Sequence, residues 1–335
     1  MAATLSAAPA QPTQEEIAEK FGISSHLSFA MPGHHVWDGA IIENPSGGYA
    51  LFFSRWPLAE GHEGWIDFSE ICRAQGPEPW GPYEFVETVC AREDTDAWDA
   101  HNYHNVSLKK FRGRYYLYYT GNRGNGDWWD HRNHQRIGVA SADSIAGPWK
   151  RLPHPVIDID PLSWDSLCVA NPSVTEMPEG GYLMIYKGVT DGPRPFGSRV
   201  LHGLARAEDP AGPFKKIDAP LFDVKGEKFP FEDPCLWHDG TSYRCLMKDM
   251  KAVVAPLPCC TVEFKSNDGI CWDIENCRLV TAPFLKLDDG SIRHVERLER
   301  PHYFSDPLKP CFSFAVKPHG EEESFLVFKP GAPPV

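Results

Sequence analysis

The sequence predicts an all-β chain folded as a five-bladed β-propeller with a short N-terminal helical arm. Three observations carry that prediction. A phrase recurs as Trp37-Asp38-Gly39-Ala40-Ile41, His104-Asn105-Val106-Ser107-Leu108, Ala170-Asn171-Pro172-Ser173-Val174, Glu232-Asp233-Pro234-Cys235-Leu236 and Glu299-Arg300-Pro301-His302-Tyr303. Its second residues stand at 38, 105, 171, 233 and 300, in steps of 67, 66, 62 and 67. A fixed period of this size marks a propeller or solenoid. Second, each of the first four phrases leads through turn residues into a short aromatic and aliphatic run. Third, Gly81-Pro82-Tyr83, Gly147-Pro148-Trp149 and Gly212-Pro213-Phe214 repeat one turn in three successive units.

Each unit reads as about four strands, the content of one blade. The phrase opens the first. The runs Tyr49 to Phe53, Tyr115 to Tyr119, Tyr182 to Tyr186 and Tyr243 to Met247 form the second strand of a hairpin, because β-branched, aliphatic and aromatic residues follow a turn. A third strand follows at Ile137 to Ala142, Val200 to Ala207 and Thr261 to Ser266. The last unit is short, with strands near 301–304, 311–316 and 324–328, so a segment such as His26 to Ala30 is expected to complete it and close the ring. Thr13-Gln14-Glu15-Glu16 reads as a capping box that opens a helix ending at Gly22. Residues 1–23 are therefore expected to form an arm, and residues 24–335 the propeller domain that would carry any active site. The arm is expected either to pack on the propeller or to join two copies as a homo-oligomer.

Composition narrows the function. The 335 residues carry a formal net charge of −13, which argues against nucleic acid and anionic membrane as partners. No apolar run is long enough for a membrane helix, and residues 1–12 show no intact signal peptide. Ten cysteines form no C-x-x-C pair, and several occupy apolar strand positions, which suggests free thiols and a reducing, cytoplasmic interior.

The recurring doublet supplies the candidate site. Its first residues are Trp37, His104, Ala170, Glu232 and Glu299; its second are Asp38, Asn105, Asn171, Asp233 and Arg300. Side chains alternate along a strand, so the two sets are expected to point in opposite directions. Most are acidic, amide, imidazole or guanidinium groups between strongly apolar strands. Burying such groups is costly without partners, so they imply an internal network or a ligand. Carboxylates stand out: glycoside hydrolysis needs one protonated to donate and another ionised to activate water or attack carbon. Asp38, Asp233, Glu232 and Glu299 are the candidates, with Asp165 just upstream of the third doublet. Trp37, Trp164 and Trp128-Trp129 offer apolar faces for a sugar ring.

Asp38, Asn171-Pro172 and Glu232-Asp233-Pro234, together with the Tyr115–Tyr119 hairpin and the Gly147-Pro148-Trp149 turn, resemble the five-bladed propeller glycosidases, above all glycoside hydrolase family 43 and its relatives. The resemblance spans all five units and implies a distant relative. It implies Asp38 as general base and Glu232 as general acid, with inversion slightly favoured. The position that tunes the acid's pKa in that family is Asn171 here. An amide cannot raise a neighbouring acid by like-charge repulsion. Asp165 or Asp233 is left for that part, or Glu299 acts as the acid with His104 or His302 assisting.

Trp37, His104, Asn105, Asn171, Lys187 and Arg300 are the expected substrate-binding residues. Lys248, Arg55 and Asn122 hold places like that of Lys187 at the end of the second strand. His34-His35, His101 and His104 precede two ring positions, but no H-E-x-x-H spacing exists, and no metal or cofactor is expected; related propellers sometimes carry a central calcium. The predicted function is release of a terminal sugar from a small glycoside or oligosaccharide. The alternatives are a phosphorylase on the same fold, with Arg300, Lys187 or Lys248 holding phosphate, and a catalytically silent sugar-binding propeller.

Overall fold

The computed structural model describes residues 12–331. The reading of residues 1–12 as lacking a leader falls, but for its last residue, outside the described residues. Five antiparallel sheets follow one another along the chain. Blade I holds His34–Glu43, Tyr49–Pro57, Glu70–Gly76 and Glu84–Cys90; blade II holds Asn102–Phe111, Arg114–Asn122, Arg136–Ala142 and Lys150–Arg151. Blade III holds Cys168–Glu176, Tyr182–Val189, Val200–Ala207 and Lys215–Leu221, and blade IV holds Phe231–His238, Tyr243–Asp249, Cys260–Ser266 and Asp273–Thr281. Blade V is built on Ile292–Phe304, Cys311–Pro318 and Phe325–Pro330. The first strand of each blade packs against the first strands of both neighbours, closing a ring around one axis.

The last blade is completed from the N-terminus. Ser28 and Phe29 pair antiparallel with Val327 and Leu326, supplying the outer strand that the sequence reading assigned to residues 26–30. Ile23–Ser24 pairs in parallel with Leu285–Lys286 at the other edge of the same sheet. The Gln14–Phe21 helix has the predicted capping box: Thr13 Oγ1 accepts from the Glu16 amide at 3.2 Å, and Glu16 accepts from the Thr13 amide at 2.8 Å. Its buried residues, Ile17 and Ala18, pack in the apolar layer shared by blades III and IV.

The core consists of layers between adjacent blades. Phe53 and Leu51 of blade I meet Ala315, Leu326 and Phe328 of blade V, while Phe52 and Ala40 meet Tyr103, Leu117 and Ala140 of blade II. The repeated Gly-Pro turns place Tyr83 and Phe214 in such layers and Trp149 against one. All ten cysteines are unpaired. Among the described residues, no helix is long and apolar enough to cross a membrane.

The recurring phrase is a repeated distortion of the inner strand. Pairing with the second strand breaks register between Trp37 and Ala40, His104 and Ser107, Ala170 and Ser173, Glu232 and Cys235, and Glu299 and His302. At each bulge the second residue of the doublet is left-handed: φ is 58° at Asp38, 58° at Asn105, 52° at Asn171, 59° at Asp233 and 53° at Arg300. Asp and Asn tolerate that region better than other side chains, which accounts for four of the five identities. Arg300 is the exception, and its place costs about 1–2 kcal/mol of backbone strain that its contacts must offset.

Candidate active site

A cavity of about 270 Å³ opens on the axis, lined by Trp37, Trp56, His62, Trp65, His104, Asn105, Asn171, Lys187, Phe229, Glu232, Asp233, Met250, Arg297, Glu299 and Arg300. Members of all five doublets therefore converge on one space. The expected alternation fails here because each bulge adds a residue and the left-handed turn rotates the second side chain toward the axis. Asp38 and Ala170 are the doublet members outside the lining.

Beneath the cavity lies a buried ion network. Arg300 Nε donates to Asp38 Oδ1, and Arg300 Nη1 donates to Asp233 Oδ1 at 3.0 Å. Asp38 Oδ2 also accepts from Ser54 Oγ at 2.6 Å and from the Asn105 amide at 2.9 Å. Asp233 accepts from Asn171 Nδ2 at 2.7 Å and from the Arg300 amide at 3.0 Å. Arg300, expected among the substrate-binding residues, lines the cavity but its guanidinium is paired with Asp38 and Asp233. Burial would push both aspartates up, yet Arg300 holds each below the usual carboxylate range, helped by the Ser54 hydroxyl at Asp38 and by Lys187 and Lys248 at Asp233. The Arg300 charge is strengthened in return, against the cost of its burial.

These residues do not fit a central calcium ion. Asp38 and Asp233, the carboxylates of the buried network, are already paired with the Arg300 guanidinium, whose positive charge opposes a second cation beside them.

Two glutamates stand above the network. Glu232 accepts from Lys187 Nζ at 2.9 Å, and Glu299 accepts from Lys248 Nζ at 2.5 Å. Each lysine comes from the second strand of the preceding blade. Lys187 pairs in register with Ala170, and Lys248 with Glu232, opposite the first doublet position. The equivalent positions in blades I and II are Ser54, opposite Trp37, and Thr120, opposite His104. Thr120 Oγ1 accepts from the Asn171 amide at 3.0 Å. This corrects the placing of Arg55 and Asn122 with the lysines: Arg55 bonds Glu70 and Thr88, and Asn122 donates to the Ile66 carbonyl. The bulge shifts register between hairpin strands, which sequence alignment of the hairpins does not reveal. Lys248 is buried; Glu299 and Glu232 beside it keep its charge despite desolvation.

One wall is aromatic. Trp65 stacks on His104 with ring centroids 4.9 Å apart, and His62 sits edge-on to Trp37 at 4.8 Å. Burial lowers the His104 pKa to about 4, so the ring is neutral near pH 7. Its Nδ1 bonds Ser69 Oγ at 2.8 Å. Trp56, His62, Trp65, Phe229, Met250 and Arg297 were not foreseen. Trp56 ends the second strand of blade I, and His62 and Trp65 occupy the insertion after it. No sequence signal marked them, since this connection is about as long in the next two blades and shares no phrase with theirs.

Several expected residues lie elsewhere. Asp165 accepts from Tyr186 Oη at 2.9 Å and from Lys216 Nζ at 2.5 Å, away from the cavity. Blade II repeats the device: Asp99 accepts from Tyr119 Oη at 2.6 Å. Trp98 stacks on Tyr119 as Trp164 does on Tyr186. The Trp98-Asp99 and Trp164-Asp165 pairs, each six residues before a doublet, are thus a second repeat that locks tyrosine to its blade. This corrects the assignment of Asp165 to pKa tuning and of Trp164 to a sugar face. His302 Nε2 bonds the Val106 carbonyl at 3.1 Å, and His35 bonds Ser324 at 3.1 Å; neither lines the cavity.

The cavity thus combines an aromatic wall, two glutamates each opposed by an ammonium, and a floor whose charges are mutually satisfied. Such a site can bind a compact polyhydroxylated molecule against the aromatic wall and exchange protons with it through the glutamates.

No family model matches the chain, and no curated protein matches it by sequence. Solved structures do match its fold. BT0996, solved in its RGII complex, is 14% identical with a TM-score of 0.72, over 95% of this chain and 94% of that one. Zg3597, a family 117 glycoside hydrolase of the marine bacterium Zobellia galactanivorans, is 18% identical with a TM-score of 0.60, over 93% and 89%. A thermostable family-43 glycoside hydrolase is 11% identical with a TM-score of 0.61, over 90% and 92%. At such identities the likeness is one of fold: this chain shares the propeller of these structures, two of them named as glycoside hydrolases, along nearly its whole length.

Proposed function

We propose that the chain is a glycoside hydrolase that removes a terminal sugar in the axial cavity. The observation that carries this reading is the pair of glutamates from adjacent blades, Glu232 and Glu299, whose side chains are 17% and 14% exposed in one small aromatic-walled space. Two carboxylates flanking a bound sugar are what glycosidic cleavage requires. A closed floor suits a chain end rather than an internal unit.

In this reading Glu232 donates the proton to the leaving oxygen. Its lysine, Lys187, is as exposed as Glu232 itself, so an entering substrate reaches both. For the second carboxylate the sequence resemblance names Asp38. Geometry favours Glu299, because a base must touch the water it activates. Asp38 is fully enclosed and engaged by Arg300, Ser54 and Asn105, whereas Glu299 faces the cavity against the held charge of Lys248. Asp38 would then act through Arg300, as a positioning residue for the fifth doublet. Trp37, His104, Asn105 and Asn171 remain the proposed sugar contacts.

Phosphorolysis is less well supported, since every cation of the site already has a carboxylate: Lys187 with Glu232, Lys248 with Glu299, Arg300 with both aspartates, and Arg297 with Glu63 at 2.7 Å. The test is turnover of chromogenic furanosides and pyranosides with and without inorganic phosphate. Phosphate-independent release supports hydrolysis; binding without release across the panel favours a sugar-binding propeller.

A further inference from the structure

We propose that Asp67, His101 and His131 form a binding site for a zinc-class divalent cation, which staples two helices beside the cavity. One ligand atom from each of the three lies within 4.8 Å of the others. Two imidazoles and one carboxylate form a common zinc donor set, with the remaining position left to water. The expectation that no metal binds rested on local spacing; these ligands are 34 and 30 residues apart and meet only in the fold.

The hydrogen bonds around His131 carry the inference. Asn122 Nδ2 donates to the Ile66 carbonyl at 2.9 Å, which fixes its amide with Oδ1 turned to His131. His131 Nδ1 lies 2.8 Å from that oxygen and must carry the proton. In the neutral ring Nε2 is then an acceptor, and it lies 3.4 Å from Asp67 Oδ1. Two acceptors thus face each other at the separation of two tetrahedral zinc ligands, about 3.3 Å for bonds of about 2.0–2.1 Å. A bond such as that to Asn122, made by the ring nitrogen turned away from the ion, is what orients metal-binding histidines. An ion would displace the donors now at these atoms: the Gly126 amide donates to Nε2 at 3.2 Å, and the Gly124 amide to His101 Nδ1 at 3.3 Å. Arg92, which bonds Asp67 Oδ1, is 44% exposed and also reaches the Asp67 carbonyl. Burial lowers the pKa of both His101 and His131, which keeps them unprotonated and able to ligate.

The ion would join Trp65–Phe68, which carries Asp67, to Trp128–Asn133, which carries His131. Trp65 and Trp128 already touch at 6.1 Å, and Trp65 walls the cavity. The site is independent of the reaction proposed above.

The experiment is calorimetric titration of the chelator-treated full chain with zinc, and with cobalt(II) read by its visible absorption. One equivalent should bind with a dissociation constant of about 1 μM or tighter, and raise the melting temperature. Asp67→Asn and His101→Ala should each weaken binding at least ~10-fold, as loss of a group that supports the ion does. His134→Ala, at the C-cap of the same helix but outside the cluster, should not. Because His131 is buried, the half-buried His101 and Asp67 keep the test valid if His131→Ala fails to fold. No stoichiometric binding, or binding unchanged in both ligand variants, would overturn the proposal; the stacked His294–His319 pair would then be the next place to look.

Discussion

Arg300 of the last blade reaches Asp38 of the first, 262 positions earlier, and the same guanidinium holds Asp233 of the fourth. One buried cation therefore closes the ring electrostatically, as the Ser28–Phe29 strand closes it by backbone pairing. The left-handed strain at Arg300 is maintained by these contacts.

Replacing Arg300 with methionine leaves two carboxylates buried without their shared cation. Breaking such a network by removing one partner costs about 3–5 kcal/mol. Urea unfolding should show a loss of that order, and a change under about 1 kcal/mol would mean that Arg300 is not the central tie.

Acid should destabilise the fold well above the carboxylate range. Burial lowers the pKa of His104 to about 4 and of His202 to about 3, against 6.5 in the unfolded chain. Between those values the unfolded chain binds protons that the folded one refuses. Stability therefore falls as pH drops below about 6.5, with up to about 1.4 kcal/mol per pH unit for each ring. The depressed Asp38 and Asp233 add a further loss below about 3.9, their unfolded value. Urea midpoints at pH 7 and pH 4.5 test this, and equal midpoints would contradict it.

Deleting residues 1–30 should lower the melting temperature sharply, because it removes the outer strand of blade V and Phe29 from its layer. Phe29 packs edge-on against Phe53 at 5.0 Å. Phe29→Ala alone should cost about 3–5 kcal/mol. Unchanged melting on deletion would show that the ring closes without this segment.

Much of this architecture was legible because it is periodic. The doublet was visible since each bulge demands a left-handed residue that Asp and Asn tolerate, and the strands were visible from aromatic runs between turns. What remained hidden depends on register and on insertions. Ser54 and Thr120 were passed over for Arg55 and Asn122 because the bulge offsets the hairpin. Asp165 looked like a ring acid because its pairing with Tyr186 is made across the blade. Trp65 and His62 lie in the connection between the second and third strands of blade I, whose sequence is different in every blade, so no repeat announced them.

If the lysines set the state of the glutamates, they should not be equivalent. Lys248 is buried and held by Glu299, so Lys248→Met leaves that glutamate without its charge partner and should reduce kcat by about 100-fold. Lys187→Met removes a more exposed partner and should act mainly on KM. The reverse split, measured by steady-state kinetics, would exchange the roles given to Glu232 and Glu299.

The proposed chemistry is tested most sharply by the single-turnover rate of Glu232→Gln, Glu299→Gln and Asp38→Asn on the best substrate of the glycoside panel, each checked for native melting behaviour. The two glutamate variants should lose at least ~100-fold in rate, while Asp38→Asn should lose stability before activity. A folded Glu232→Gln variant with near-normal turnover would refute the role given to that carboxylate, and with it the glycosidase reading of the cavity.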